Sequence, residues 1–504
     1  MINVVIPAAG EATRLRPLTS NCSKAMVRVH GKPTIEYIIE SIYKNTCDIN
    51  EIIIVDGKHN DIREWAEKSI YRDNIRCVKQ GSLNGPRDAI RVGINELLNY
   101  DLPLVVWLGD AIILDKDLPL GTDFLLVKEV EDHFSWCMWN GNEFFNKPTE
   151  TIPNAVALVG LYSFADGKNA RDAFQVNDYD ISGALDAYGL KLNNAPAFKR
   201  IITNKWYDIG DIASYHRTCA EFLTFKARAF NSFEYNADLN VVTKIPNYAY
   251  TTAVSAVMNE KAWYSNLNSV QRMFVPKVLD DDYGLSLSYE SGVLLSDLFI
   301  HEDISNSTID YLIERVVLSI RNHFHNRASL AFVKSFSKNA RIMWIDKTTS
   351  RLESNDNLTD KTKQFYNKVA ADCFNLAKPV ETMHGDLHFG NVLYNPYNNS
   401  ITFIDPRGEY GEHVGCGGDH MYDLCKLSHD LYHGYSALIY GKPYPKYVQE
   451  SFSKIIQKYY PNEYNTIIDG GALLIATCIP LHFDDENRQR YMEEFANDYA
   501  NSRD

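Results

Sequence analysis

Residues 1–15 read Met1-Ile2-Asn3-Val4-Val5-Ile6-Pro7-Ala8-Ala9-Gly10-Glu11-Ala12-Thr13-Arg14-Leu15. The apolar run Asn3–Ile6 reads as a buried strand, and small residues follow it at once. Small residues in a strand-to-helix loop let backbone N–H groups approach a phosphate closely. Arg14 can add a charged fork to the same anion, and Lys24 stands ten residues on. A tight turn with Arg14 on the surface is the alternative reading of the loop alone. Downstream, helical patterns at Thr34–Tyr43, Asp61–Lys68 and Arg87–Leu98 alternate with strand-like runs at Glu51–Val55, Ile75–Lys79 and Leu104–Leu108. That alternation predicts βαβ units and an α/β fold with a mainly parallel sheet.

The whole chain has 504 residues, enough for about three domains at ~150 residues each. Lys+Arg number 51 and Asp+Glu 65, a net charge of −14. That balance argues against nucleic acid and against anionic membrane surfaces as partners. Residues 1–7 lack the basic region of a signal peptide, and no apolar run approaches the ~20 residues of a membrane span. The nine cysteines are scattered without a CxxC pair, which suggests neither a disulfide framework nor a zinc site. A reducing, cytoplasmic location is the expectation. The pattern changes after about Thr224. Ala229–Tyr235 and Val241–Ile245 read as a hairpin, Ala253–Asn266 as a helix, and from Asp310 on amphipathic helices dominate around a hairpin at Val392–Ile404. The expected domains are residues 1–224 and 225–504, the second with lobes of about 225–300 and 301–504.

Further motifs follow the first loop in order: Gln80-Gly81-Ser82-Leu83-Asn84-Gly85, Trp107-Leu108-Gly109-Asp110, Asn146-Lys147-Pro148 and Trp206-Tyr207-Asp208-Ile209-Gly210. Together they resemble the nucleotidyltransferases that make nucleotide-activated sugars and polyols, over residues 1 to about 222. The resemblance implies a Rossmann-like (GT-A-like) domain. It implies that the backbone around Ala9, Gly10 and Thr13 binds a nucleoside triphosphate, that Arg14 and Lys24 are catalytic, and that Gln80 and Gly85 read the base. Lys147 would hold the acceptor phosphate, and Asp110 and Asp208 would hold Mg2+, a hard cation suited to carboxylates and phosphate oxygens. Asp110 as a helix cap and Asp208 as a turn residue are the plain alternatives. Ala12, Ala25 and Asn146 depart from the family pattern, where glycine, proline and glutamate are usual.

A second constellation is Met383-His384-Gly385-Asp386-Leu387-His388-Phe389-Gly390-Asn391, followed by Ile404-Asp405-Pro406-Arg407-Gly408. It resembles the aminoglycoside phosphotransferase/choline kinase family, which implies a protein-kinase-like α+β fold. Asp386 would take or orient the acceptor hydroxyl's proton, and Asn391 and Asp405 would bind Mg2+. By position, Lys244 and Glu260 would form the lysine–glutamate pair of an ATP lobe, and the segment Leu287–Gly292, with Glu290, would be its hinge. Plain solvent exposure is the alternative for both Lys244 and Glu260. No GxGxxG precedes Lys244; Arg228–Ser232 occupies that place. Asp423 reads as a buttress of the catalytic loop. Arg407 disfavours a cationic acceptor and suits a neutral polyol, a sugar or an anion; a structural bridge to Glu409 or Glu412 is the plain alternative.

The combined expectation is a bifunctional enzyme. One half phosphorylates a small hydroxyl compound with ATP. The other couples a phosphorylated alcohol or sugar to a nucleoside triphosphate, CTP slightly favoured, to give an activated precursor for capsule or lipopolysaccharide. The alternative is a UTP- or dTTP-dependent sugar-1-phosphate nucleotidyltransferase fused to a non-catalytic ATP-binding module. Self-association is left open by the sequence.

Overall fold

The computed structural model describes residues 1–504 except 17, 20–21, 82–83, 176–179, 192–197, 224–230, 280–283, 302–303, 441–442, 483–484 and 504. The chain divides into two units, Met1–Phe222 and Leu223–Asp504. The expected boundary after residue 224, and Arg228-Ala229-Phe230 of the expected phosphate cover and first hairpin strand, lie outside the described residues.

The first unit is built on a nine-stranded sheet. Its centre is parallel: Ile2–Pro7 lies between Leu104–Trp107 and Ile49–Asp56, and Ile75–Lys79 flanks the last. Ile52, Ile53, Ile54 and Val55 are all buried, the unbroken apolar run expected of a strand covered on both faces. Helix Thr34–Asn45 covers one face through Ile35, Ile38, Ile39 and Ile42, spaced as one helical stripe. On the other face Gly93 of helix Pro86–Asn95 lets helix and sheet touch; a Cβ there would stand 2.6 Å from Val5 Cγ1. The sheet is more mixed than the sequence predicts. Val156–Phe164, buried along its whole length, pairs antiparallel with Leu104–Trp107, Phe124–Lys128 and Cys137–Trp139.

In the second unit an antiparallel sheet of four strands comes first: Asn231–Asn236, Val241–Pro246, Leu285–Ser288 and Val278–Leu279. Helix Thr251–Ser265 packs on it. A helical part follows around the hairpin Val392–Asn395/Ser400–Phe403, to which Val293–Leu294 adds a third strand. Its axis is helix His420–Leu431, all 12 residues of which are buried. Against it packs Tyr464–Cys478, which runs on as a 3-10 turn to His482. Contrary to the sequence expectation, the stretch Tyr464–His482 is long and apolar enough to cross a bilayer, but 67% of its most apolar window is buried in the protein, as suits a core helix. Such a helix is apolar all round because it is surrounded by protein.

Candidate functional sites

Three parallel strands of the first unit end at predicted residues: Ile2–Pro7 leads into Ala8 and Ala9, Ile75–Lys79 into Gln80, and Leu104–Trp107 into Leu108-Gly109-Asp110. Open α/β sheets bind ligands at these carboxyl ends. A Cβ on Gly109 would lie 2.9 Å from the Pro7 carbonyl oxygen, so glycine lets the two strand ends meet. Strand Trp206–Asp208 pairs antiparallel with Ala111–Ile113, with Asp208 opposite Ala111. That register sets Asp208 beside Asp110, and the Ile209 amide donates to the Asp110 carbonyl at 3.3 Å. Gly210 makes room, because a Cβ there would stand 2.8 Å from Asp208 Oδ2.

Lys24 opens a 3-10 turn, and its ammonium lies 2.5 Å from Asp110 Oδ2 and 3.5 Å from the Gly210 carbonyl. Burial alone would raise the Asp110 carboxyl, but the Lys24 charge and hydrogen bond outweigh it and hold the group below its ordinary range. Asp208 goes the other way. Burial, then the charge of Asp110, pushes it up to about 6. The oxygens of these two adjacent carboxylates could hold a hard metal ion. Among the described residues no cluster of three or more His, Cys, Asp or Glu forms a metal cage. Mg2+ needs none, since it binds through one or two carboxylates plus water and phosphate oxygens.

Arg14 is exposed in the turn Thr13–Leu15, and its charge is felt at Asp110 and Asp211. Ala12 precedes that turn at φ 48° and ψ 42°, the left-handed region that glycine occupies without strain. Gly10, by contrast, has nothing within 4 Å of a would-be Cβ, so the protein itself does not demand glycine there. Gln80 is buried, and its amide nitrogen donates to Asp88 Oδ2 at 2.9 Å. That donor is therefore already engaged, a constraint the base-reading expectation did not foresee. Gly85 takes φ 93° and starts helix Pro86–Asn95. Ser82 and Leu83 of the expected base-reading segment lie outside the described residues.

Asp110 and Asp208 lie on the wall of a cavity of about 530 Å3, lined among others by Pro86, Trp136, Lys147 and Tyr162. Lys147 takes φ 48°, and its amide donates to the Trp136 carbonyl at 3.0 Å. Asn146, where the family pattern has glutamate, donates to Asp180 Oδ2 at 2.6 Å.

In the second unit the predicted residues also converge. Lys244, in strand Val241–Pro246, stands 2.7 Å from Glu260 Oε2 and 2.5 Å from Asp405 Oδ1. Glu260 is 4% exposed, so the surface-acid alternative does not hold for it. Burial pushes Glu260 up to about 7 despite Lys244, and Lys244 is itself held above its usual range because the two carboxylates outweigh burial. Asp405, at φ 58°, is lowered, chiefly by Lys244. Asn391 Nδ2 donates to the Asp386 carbonyl at 2.9 Å and to its Oδ2 at 3.3 Å. The Ile404 amide donates to the Asn391 carbonyl at 3.0 Å, which ties the Asp405 segment to that loop. Asp423 accepts from the amides of His384 and Gly385 at 2.9 and 2.8 Å. Glu290 accepts from Ser288 Oγ at 2.6 Å, at the exit of strand Leu285–Ser288.

Lys426 went unread in the sequence. Its ammonium is 2.9 Å from Asp386 Oδ1. Burial would raise Asp386, but Lys426 and then His388 outweigh it and hold the carboxylate well below its ordinary range. The signal was present: a lysine inside the buried helix His420–Leu431, three residues after Asp423, needs a counter-charge.

Comparison with known proteins agrees with the first unit's geometry. Residues 3–124 match the family model "Nucleotidyl transferase". The chain is 25% identical over 269 residues to the UTP--glucose-1-phosphate uridylyltransferase of Staphylococcus epidermidis, covering 43% of this chain and 91% of that one. It is 26% identical over 275 residues to UTP--glucose-1-phosphate uridylyltransferase 2 of Staphylococcus saprophyticus, covering 43% and 90%. A solved UDP-glucose pyrophosphorylase from Acinetobacter baumannii aligns with 17% identity and a TM-score of 0.38, over 45% of this chain and 95% of that one. The N-terminal part of the chain is a nucleotidyltransferase domain resembling the sugar-1-phosphate nucleotidyltransferases.

Proposed function

We propose that the first unit couples a nucleoside triphosphate to a phosphorylated sugar or small alcohol and releases pyrophosphate. The observation that carries this reading is the pair Asp110 and Asp208 on the wall of the cavity that also holds Lys147, with Lys24 bound to Asp110. An acceptor phosphate oxygen bonds to the α-phosphorus as the α–β bridging bond breaks, and pyrophosphate leaves with the electron pair. Lys147 holds the acceptor phosphate. Arg14 receives the β- and γ-phosphates from the open side of the loop. Lys24 keeps Asp110 ionised and in place. Asp110 and Asp208 would hold Mg2+, which supplies charge neutralisation at the phosphates. The nucleotide is UTP ahead of the CTP that the sequence alone favoured, since the relatives named above are UTP-dependent; a sugar 1-phosphate is the matching acceptor.

The second unit is proposed as a kinase-like phosphotransferase that uses ATP. Support comes from the chain Glu260–Lys244–Asp405 and the loop Asp386–Asn391, which bring together the groups that phosphoryl transfer needs. Lys244 takes the ATP phosphates, Asp386 orients the acceptor hydroxyl, and Asn391 and Asp405 would hold Mg2+. An activated precursor for capsule or lipopolysaccharide, made in the cytoplasm, is the proposed product.

The test is direct. The purified chain is incubated with Mg2+, each triphosphate and a panel of sugar and polyol phosphates, and pyrophosphate is followed. Release with UTP and a sugar 1-phosphate, lost in Asp110→Asn, is the expected result. No release with any pair overturns the first reading. ADP formation that depends on Asp386 tests the second.

A further inference from the structure

Two cationic side chains, Lys426 and Arg407, lie against the Asp386 loop, and two more, Lys347 and Arg351, stand on a separate helix. Lys426, on helix His420–Leu431, is bound to Asp386. Arg407 packs on the loop itself: a Cβ on Gly385 would lie 2.7 Å from Arg407 Cβ, and the Arg407 amide donates to the His384 carbonyl at 2.9 Å. Its guanidinium donates to the Tyr422 hydroxyl at 3.2 Å and to Glu409 at 3.3 Å. Lys347 and Arg351 come from helix Lys347–Glu353. The Trp344 ring, just before that helix, packs 5.4 Å from the Tyr422 ring, and Arg351 donates to the Thr477 carbonyl at 3.0 Å. Arg407, Arg351 and Lys426 lie within electrostatic reach of Lys347.

Among the described residues two carboxylates answer them. Asp386 is taken by Lys426, and Glu409 by Arg407 and Asn259. Asp346 pairs with Arg341 at 3.7 Å on the exposed side. Lys347 makes no hydrogen bond or ion pair among the described residues. Burial, then Arg407 and Arg351, pushes its ammonium down to about 6. A half-buried lysine set among like charges is costly unless an anion joins it. A π-helical turn, Ile342–Asp346, immediately precedes Lys347, and such turns frequently mark functional sites. His429, one turn beyond Lys426 on the same helix, is fully buried with neither ring nitrogen partnered.

We infer that Lys347, with Arg407 and Arg351, receives an anionic group of the acceptor, so that the compound phosphorylated by the second unit is a hydroxylated carboxylate or phosphate ester rather than a neutral polyol or an amine. This inference rests on the phosphotransferase reading above. In the step itself the acceptor oxygen bonds to the γ-phosphorus of ATP as the β–γ bridging bond breaks. ADP keeps the electron pair, and the hydroxyl proton passes by way of Asp386 to solvent. Lys347 and Arg407 hold the far end of the acceptor and take no proton.

The test has two arms, both on the full chain. In the first, ADP release with ATP and Mg2+ is measured for matched acceptors: a polyol, its carboxylate (sugar acid) form and its phosphate monoester. Turnover with at least one anionic form, at 10-fold or greater preference in kcat/KM over the neutral form, is expected. Lys347→Met should raise the KM for that acceptor at least 10-fold with kcat and the KM for ATP little changed, and Lys347→Arg should restore it. In the second arm, binding of inorganic phosphate and of malonate is followed by calorimetry in the wild type, Lys347→Met and, as a control for the first unit, Lys147→Met. A site for one of the two anions lost in Lys347→Met and kept in Lys147→Met supports the inference, and which anion it is separates phosphate from carboxylate. Equal turnover of neutral and anionic acceptors, or anion binding indifferent to Lys347, overturns it while leaving phosphotransfer standing. Anion binding at Lys347 without any Asp386-dependent ADP release overturns phosphotransfer and leaves an anion site.

Discussion

The ammonium of Lys426 lies 2.9 Å from Oδ1 of Asp386, inside a helix that is otherwise sealed from water. The pair sets the charge of the loop that the second unit would use. Asp386 stays ionised far below neutral pH because Lys426, with help from His388, overrides its burial. Removing the lysine leaves a partly exposed carboxylate without its counter-charge, and its partial desolvation then raises it. In Lys426→Met, ADP formation should fall by roughly 10²–10⁴-fold, the range for losing a positioned acid–base group. The residual rate should acquire an acid limb, falling as pH drops from about 7 to 5, where the wild type stays flat. Because the native carboxylate is depressed, its contribution to stability is present above the unfolded pKa, about 4. It is lost only as pH falls through the lower native value. The variant should therefore lose stability at pH 7 and converge with the wild type in strong acid. Rates and thermal midpoints across pH check both points.

Asp208 carries the opposite sign. Burial and the neighbouring Asp110 raise it to about 6. A raised carboxyl favours the folded state while it is protonated, and that advantage disappears as pH rises from about 4 through 6. Without divalent metal, Asp208→Asn should have a higher midpoint than the wild type at pH 7.5, by about 2–4 °C for each kcal/mol of repulsion removed. The two should coincide near pH 4. Adding Mg2+ should raise the wild-type midpoint and leave the variant unchanged, while pyrophosphate release is lost. Equal Mg2+ responses in the two proteins would remove Asp208 from the metal site.

What could be read from the sequence follows physical range. The strand Ile2–Pro7 and its loop announce themselves because a buried parallel strand is apolar at every position and the loop follows directly. The Asp386-to-Asn391 spacing is equally local. The antiparallel role of Val156–Phe164 was missed, since a fully buried run looks the same in either direction. Lys347 and Lys426 were missed for another reason. Each is an ordinary lysine in its own helix and becomes unusual only beside groups distant in the chain. The Gln80–Asp88 bond likewise needs the loop to fold back before it exists.

Ala12 offers a gain rather than a loss. Its φ of 48° costs a residue with a Cβ about 1–2 kcal/mol. Glycine removes that strain but adds unfolded-chain entropy worth about 0.4–1 kcal/mol. Ala12→Gly should thus be stabilising by about 0.5 kcal/mol, and the relaxed loop should lower the KM for the triphosphate by about 2–5-fold. Ala12→Val, which is β-branched, should do the reverse. Steady-state KM and thermal midpoints of both variants decide it; a glycine variant with weaker triphosphate binding would show that the left-handed alanine is tuned to the loop rather than strained in it.

The last prediction concerns Gln80. Its amide nitrogen is held by Asp88, which Arg91 in turn grips through its Nε at 3.1 Å. A carboxamide fixed at its nitrogen keeps one orientation of its oxygen, and a fixed acceptor separates bases better than a rotating one. Breaking the hold leaves Gln80 free to present either end, so it satisfies the wrong base nearly as well as the right one. Asp88→Ala should therefore raise the KM for the preferred triphosphate several-fold with kcat nearly intact. The preference between UTP and CTP should narrow toward unity, because a fixed polar contact is worth about 0.5–1.5 kcal/mol. Gln80→Ala should also lose the preference, with a larger loss of affinity for the preferred nucleotide, because the contact is removed rather than freed. Parallel kcat/KM measurements with the two triphosphates distinguish the variants. An Asp88→Ala protein with unchanged discrimination would mean that base selection resides elsewhere in the loop, in backbone groups that neither substitution touches.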